Sequence, residues 1–215
     1  MGSQTDAKTY SVERPAALVL VTAATAEPVS LVLMKEYLRF TESSQDDTIN
    51  ACISAARIEA EQKMGGRAIL SQTFDLILDE FPDYCQRTPD AEIVLPRFAV
   101  SSVTHLKYYD DDGVLQTWDA SNYRVDTSSE PGRITPAFGV SWPSARTMIG
   151  AIQVRFVAAT WASAALTPEP IKLWIRAKAA HLFTLRGMAV SGTIIANYAD
   201  SIDSLLAPYT VRRFV

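Results

Sequence analysis

Thr104-His105-Leu106-Lys107-Tyr108-Tyr109-Asp110-Asp111-Asp112-Gly113-Val114-Leu115-Gln116-Thr117-Trp118 is the stretch that decides the class of fold. Two runs suited to extended backbone flank an Asp112-Gly113 pair. Asp-Gly between such runs marks a tight β-hairpin, because the turn that matches strand twist needs positive φ. The pattern continues on both sides. Phe74, Leu76 and Leu78 alternate in one strand, and Ile93-Val94-Leu95 is short and apolar. Tyr123 and Val125 start another strand, and Ile152, Val154 and Phe156 alternate with Gln153 and Arg155. Alternation puts one side of each strand in a core. Residues 70–160 therefore read as an antiparallel β module, a small sandwich or barrel.

The spacing changes on either side of this module. A short strand over Val19 to Thr22 comes first, and then Pro28-Val29-Ser30 opens a helix over about 31–39. A second helix runs from about Asp46 to Met64, with Ser44 and Asp47 at capping-box spacing. Its residues Ile49, Ile53, Ala56, Ala60 and Met64 recur at helical spacing and form one buried stripe, and Gly65-Gly66 ends it. Beyond the β module, Thr167 caps a third helix with Pro168 in its first turn. The stripe Ile171, Trp174, Ile175, Leu182 and Leu185 stops at Gly187. The order predicts an α+β fold: a small helical bundle, an inserted antiparallel β module and an extended C-terminal arm. The expected divisions are a mobile N-terminus over 1–16, a strand and helices over 17–69 and the β module over 70–160. A helix over 161–188 then packs on the first two, and a linker and arm occupy 189–215. There is no internal repeat and no low-complexity tract.

Composition narrows the function classes. With 215 residues, 48% of them hydrophobic and 20% charged, the chain can bury a real core. A net charge of −4 gives no support to a nucleic-acid-binding surface, which calls for a basic stripe. Two cysteines are no disulfide framework: Cys52 falls on the apolar side of the second helix as a buried thiol, and Cys85 sits in a loop. A reducing compartment is the simplest inference. Residues 16–26 resemble a signal-peptide core, but Asp6 and Glu13 spoil the basic leader and Val19 to Thr22 read as a strand. No run is long enough to span a membrane.

Little in the chain points to catalysis. His105 in a strand and His181 in the last helix have no second imidazole at metal-ligand spacing, and each reads as structural. Gly65-Gly66-Arg67 is a helix stop rather than a phosphate loop, and there is no Gly-x-Ser-x-Gly elbow. Asp110, Asp111 and Asp112 are oxygen donors for a divalent cation or, equally, a solvated turn; the spaced ligands of a calcium loop are missing. Trp118, Trp142, Trp161 and Trp174 are scattered and read as core or interface residues. No cofactor or metal site follows. The alternatives that remain open are a hydrolase using paired carboxylates on a β scaffold and a monomeric ligand-binding β module.

The segment Leu205-Leu206-Ala207-Pro208-Tyr209-Thr210-Val211-Arg212-Arg213-Phe214-Val215 is rich in apolar residues where polar fraying is usual. Pro208 blocks a regular helix. An extended chain would put Tyr209, Val211, Arg213 and Val215 on one face and Thr210, Arg212 and Phe214 on the other. Such a strand needs cover on both sides. Either it docks on its own domain or it is an arm for a neighbour. Burial of its apolar residues would yield about 10 kcal/mol, and ordering its backbone costs a similar amount, which favours a partner. The expectation is that 205–215 leave the parent domain. Leu205, Leu206, Tyr209, Val211 and Phe214 would then be apolar contacts, and Arg212 and Arg213 partners for carboxylates.

Read in order, these motifs resemble the head–tail connector (adaptor) proteins of long-tailed bacteriophages and related gene-transfer particles. The matching stretches begin with Glu27-Pro28-Val29-Ser30-Leu31, Lys35 to Arg39, and the helix with Ala55-Ala56-Arg57. Gly66 to Phe74, Leu78 to Pro82, Leu95-Pro96-Arg97 and Ser102-Val103-Thr104 follow. Tyr108 to Gly113, Tyr123 to Thr127, Pro131 to Ile134, Ser141-Trp142-Pro143 and Leu205 to Tyr209 complete the series, with the Arg-Phe near the end. The match runs from about residue 17 onward and is loose over Gly187 to Asp203. The resemblance implies a non-enzymatic virion protein at the head–tail junction, assembled in the host cytoplasm. It implies a ring, usually dodecameric, beneath the portal protein, with a stopper or other neck or tail protein on its far side. DNA would pass through without specific binding, and Asp110 to Asp112 are candidates for a channel-facing or inter-ring acidic tip.

Overall fold

The computed structural model describes residues 16–82, 92–185 and 202–211. Eight strands and three helices follow one another along them: β1 (Ala16–Thr22), α1 (Leu31–Leu38), α2 (Asp46–Lys63), β2 (Gln72–Leu78), β3 (Ile93–Leu95), β4 (Val100–Tyr109), β5 (Leu115–Trp118), β6 (Tyr123–Asp126), β7 (Gly132–Pro136), β8 (Ile152–Ala158) and α3 (Glu169–Thr184). The fold is mixed α+β. Residues 1–15, Cys85 and most of the linker and arm expected over 189–215 lie outside the described residues.

Among the described residues the strands form two antiparallel sheets and no closed barrel. The larger has the order β1-β2-β8-β4-β5, and the smaller β3-β7-β6. β8 alternates strictly, with Ile152, Val154, Phe156 and Ala158 buried. Leu76, Val154, Leu106 and Trp118 make one inward row across the large sheet. Ile93, Leu95, Tyr123 and Ile134 of the small sheet close the same core from the other side, as in a sandwich. β1 pairs with β2, so the N-terminal strand belongs to this sheet.

A second core lies among the helices. Ile49, Ile53, Ala56 and Ala60 of α2, with Met64 just after it, share this core with Ile171, Trp174, Ile175 and Ala179 of α3 and Met34 of α1. Sequence spacing locates these helices within a residue or two. Ser30 caps α1 by accepting from the Leu33 N–H (3.3 Å), and Arg39 ends it at φ 53°. Two caps differ from expectation. Gln45, not Ser44, stands before α2, and Asp46 and Asp47 occupy its first turn, where carboxylates suit the positive end of the helix dipole. Pro168, not Thr167, precedes α3, and Pro170 takes the early position that tolerates a missing N–H. β7 had no signal of its own, because Pro131-Gly132 and Pro136 bracket a run too short to show alternation.

The chain crosses from the helical core to the β core at Gly65 to Leu70. Gly65 and Gly66 take φ of 82° and 91°, a conformation that costs a residue with a Cβ about 1–2 kcal/mol. Ala68 points into the β core, and Ile69 and Leu70 into the helical one. Glu61, 1% exposed, fastens this seam: its Oε1 accepts from the Ile69 N–H (3.1 Å), the Gln72 amide (2.7 Å) and Arg57 (3.3 Å).

Candidate functional site

The C-terminal segment is folded onto its own domain through Val211. Leu206 is 2% exposed in the helical core, and Leu205, Ile202 and Tyr209 pack against that core. Ala207–Tyr209 is a 3-10 turn, so the extended two-faced strand does not form there. Four polar ties hold the segment. Asp203 accepts from Lys63 Nζ (2.6 Å) and Trp174 Nε1 (2.9 Å), Arg67 Nε donates to the Tyr209 carbonyl (2.9 Å), and the Val211 N–H donates to the Met64 carbonyl (3.2 Å). Trp161 meets the Tyr209 ring edge-on. The expectation that the whole of 205–215 leaves the domain is thus corrected for 205–211. The helical core offers these side chains an apolar seat, and the turn at Pro208 lets them reach it. Arg212, Arg213 and Phe214 lie outside the described residues.

Arg67 joins three parts of the chain. Besides Tyr209 it grips Glu130, Nη1 to Oε1 at 2.8 Å and Nη2 to Oε2 at 2.6 Å. The end of α2, the loop before β7 and the tail therefore meet at one guanidinium, beside an open cleft lined by Ser128, Pro208 and Val211.

The acidic hairpin tip is a built turn. The Asp110 carboxylate accepts from the Val114 N–H and from the Gln116 amide, each at 2.8 Å, and these bonds hold it below its ordinary pKa. Asp111 accepts from Ser144 (3.1 Å), and the Arg146 N–H donates to the Tyr109 carbonyl (3.0 Å). The tip is thereby tied to the 137–150 loop. That loop presents Phe138 at 99% exposure and Ile149 at 89%, a display of apolar surface that suits contact with another molecule. Sequence reasoning missed both residues, because an aromatic beside Gly139 reads equally well as core.

Acid groups elsewhere serve structure. Burial pushes Glu61 above the usual carboxylate range, although Arg57 opposes this. Arg57 also donates to Glu27 at 2.8 Å. Asp75 is held below the ordinary range by Arg155, which donates to both its oxygens at 2.7 and 2.8 Å. His105, in β4 opposite Arg155, is pushed down by burial and by Lys107. His181 lies in the last turn of α3. Trp118 and Trp174 are core residues, and Trp142 and Trp161 pack against the cores. Among the described residues no group of three or more His, Cys, Asp or Glu could hold a metal ion. No helix among them is long and apolar enough to cross a membrane.

No protein-family model and no curated protein sequence matches the chain. Solved structures do. A chain in the neck of an empty gene transfer agent particle, computed with C6 symmetry, superposes with a TM-score of 0.71 at 22% identity. The match covers 93% of this chain and 97% of that one. A chain in the neck of the native particle, computed with C12 symmetry, gives 0.68 at 23% identity over 93% and 97% of the two chains. A chain in the virion of the native gene transfer agent gives 0.66 at 21% identity over 92% and 97%. The chain shares the fold of these particle components over more than nine-tenths of its length.

Proposed function

We propose that this protein is a structural component of a phage-like particle, a head–tail connector that forms a ring under the portal and extends the DNA channel. The observation that carries this is the likeness, over more than nine-tenths of this chain, to chains of gene transfer agent necks, 97% of whose length is matched. Necks computed with C6 and C12 symmetry suit a ring of identical copies, and twelve is the number proposed here.

The parts of the chain then take roles. The net charge of −4 keeps the passage from gripping DNA. The hairpin tip at Asp110 to Asp112 and the exposed apolar loop beside it, with Phe138 and Ile149, offer a platform to a stopper or tail protein. Residues 202–211 anchor the segment on its own helices, and Arg212, Arg213 and Phe214 beyond it are the residues that meet the portal in this reading. The particle assembles in the host cytoplasm.

Disrupting the gene in a producing strain tests this. DNA-filled heads without attached tails are expected, with tailed particles restored by the intact gene. Normal yields of tailed particles from the disrupted strain would overturn the proposal.

A further inference from the structure

Among the described residues β1 is an edge strand with no strand along its outer side. Leu18, Val19, Leu20 and Val21 are between 38% and 50% exposed, on both faces of the sheet, and Ala17 to Thr22 contain no charge and no proline. Soluble proteins usually guard such an edge with lysine, proline or a covering element, because its free backbone groups are a template for another strand. At the opposite end of the same sheet β5 is also an edge, with Leu115, Gln116 and Thr117 exposed and uncharged. Among the described residues no strand lies beyond either one.

The two edges run in the same direction, and the shorter, β5, fits within the length of β1. β1 pairs regularly with β2 from Ala16 as far as Leu20, where the register shifts. β5 offers four residues, Leu115–Trp118. Each strand of the large sheet is antiparallel to its neighbours, so the first and fifth run the same way. A copy rotated about an axis along the strands therefore brings its β1 beside the first copy's β5 in parallel. A ring needs just such a contact, in which two different patches on each copy meet head to tail. Pairing β1 with β1 would instead close a twofold dimer and stop.

We propose that neighbouring copies join through these edges, β5 of one copy lying along β1 of the next, so that the large sheet continues from subunit to subunit. The inference rests on the ring reading above. Outward positions set the probes. Ala17, Ile77, Gln153, Lys107 and Thr117 form one row across the outer face, with Val19, Asp75, Arg155 and His105 in the adjacent row.

The test uses particles from a producing strain whose chain carries Cys52→Ala and Cys85→Ala, with Thr117→Cys combined with either Ala17→Cys or Val19→Cys. After mild oxidation, at least one pair should give a ladder of disulfide-linked multimers on a non-reducing gel, and single-cysteine variants should give none. Val19→Lys, exposed in the folded chain, should leave the circular dichroism spectrum unchanged and prevent incorporation into particles. Chain present in particle rings with no ladder from either pair, or with Val19→Lys incorporated normally, would overturn the edge contact alone. Dimers from Val19→Cys by itself would replace it with a twofold contact. Absence of the unsubstituted chain from purified particles would instead remove the ring reading on which it stands.

Discussion

Glu130 accepts from both terminal nitrogens of Arg67, at 2.8 and 2.6 Å, and so ties the loop before β7 to the end of α2. The same guanidinium reaches the tail at Tyr209, so one side chain holds three segments far apart in sequence. Removing it loosens all three.

Arg67→Ala should destabilise the protein by about 1–3 kcal/mol, since bidentate charged hydrogen bonds are the strong kind. Arg67→Lys should recover only part of this, because an ammonium cannot form the planar fork. Urea unfolding of the two variants measures it, and a double-mutant cycle with Glu130→Gln isolates the pair from the Tyr209 contact.

Leu206→Ala should cost about 2–5 kcal/mol, the range for emptying a leucine site in a closed core. Leu206 is as buried as Trp174 of the same cluster. Truncation before residue 202 should lower the melting temperature still further. An unchanged melting temperature would show that the tail is not seated on the helices in solution.

Acid should weaken the Asp75–Arg155 ladder. Arg155 holds the Asp75 carboxyl below its ordinary value of 3.8, so the unfolded chain binds that proton first as pH falls. The resulting stability is fully present above the ordinary value and is lost as pH drops through the folded one. Asp75→Asn should therefore be less stable than wild type at pH 7, and the difference should shrink below pH of about 4. Glu61 works the other way. Burial raises its folded value above 4.5, so its contribution weakens as pH rises through that range, and the Asp75 variant separates the two.

At the hairpin, Gly113 has φ 81°, and a Cβ there would lie 2.6 Å from Arg146 Nη1. Gly113→Ala should cost about 1–2 kcal/mol from the backbone conformation alone, because the long Arg146 side chain can move aside. Calcium or magnesium at millimolar concentration should leave the melting temperature unchanged, since Asp110 already spends its oxygens on Val114 and Gln116. A clear upward shift would revive a cation site at the tip.

The fold was legible where periodicity was strong. The Asp112-Gly113 turn, the alternation from Ile152 to Phe156 and the stripe from Ile49 to Met64 each locate an element to within a residue or two. The caps were less legible, since Ser44 and Thr167 are good capping residues one position away from where the backbone turns. The tail was misjudged for a physical reason. Apolar residues on both sides of an imagined strand call for a partner, but a 3-10 turn at Pro208 lets Leu206 and Tyr209 reach one core together. Linear spacing cannot show that core, because α2, α3 and the tail meet only in three dimensions. The exposed Phe138 and Ile149 carried no signal for the same reason.

The central claim is that this chain forms a ring at the head–tail junction. A cryo-electron microscopy reconstruction of the neck of purified particles, made without imposed symmetry, tests it most directly. Twelve copies of this fold are expected around the channel between portal and tail, each with residues 202–211 on its own helices. A neck reconstructed to side-chain detail with no density for this chain would contradict it.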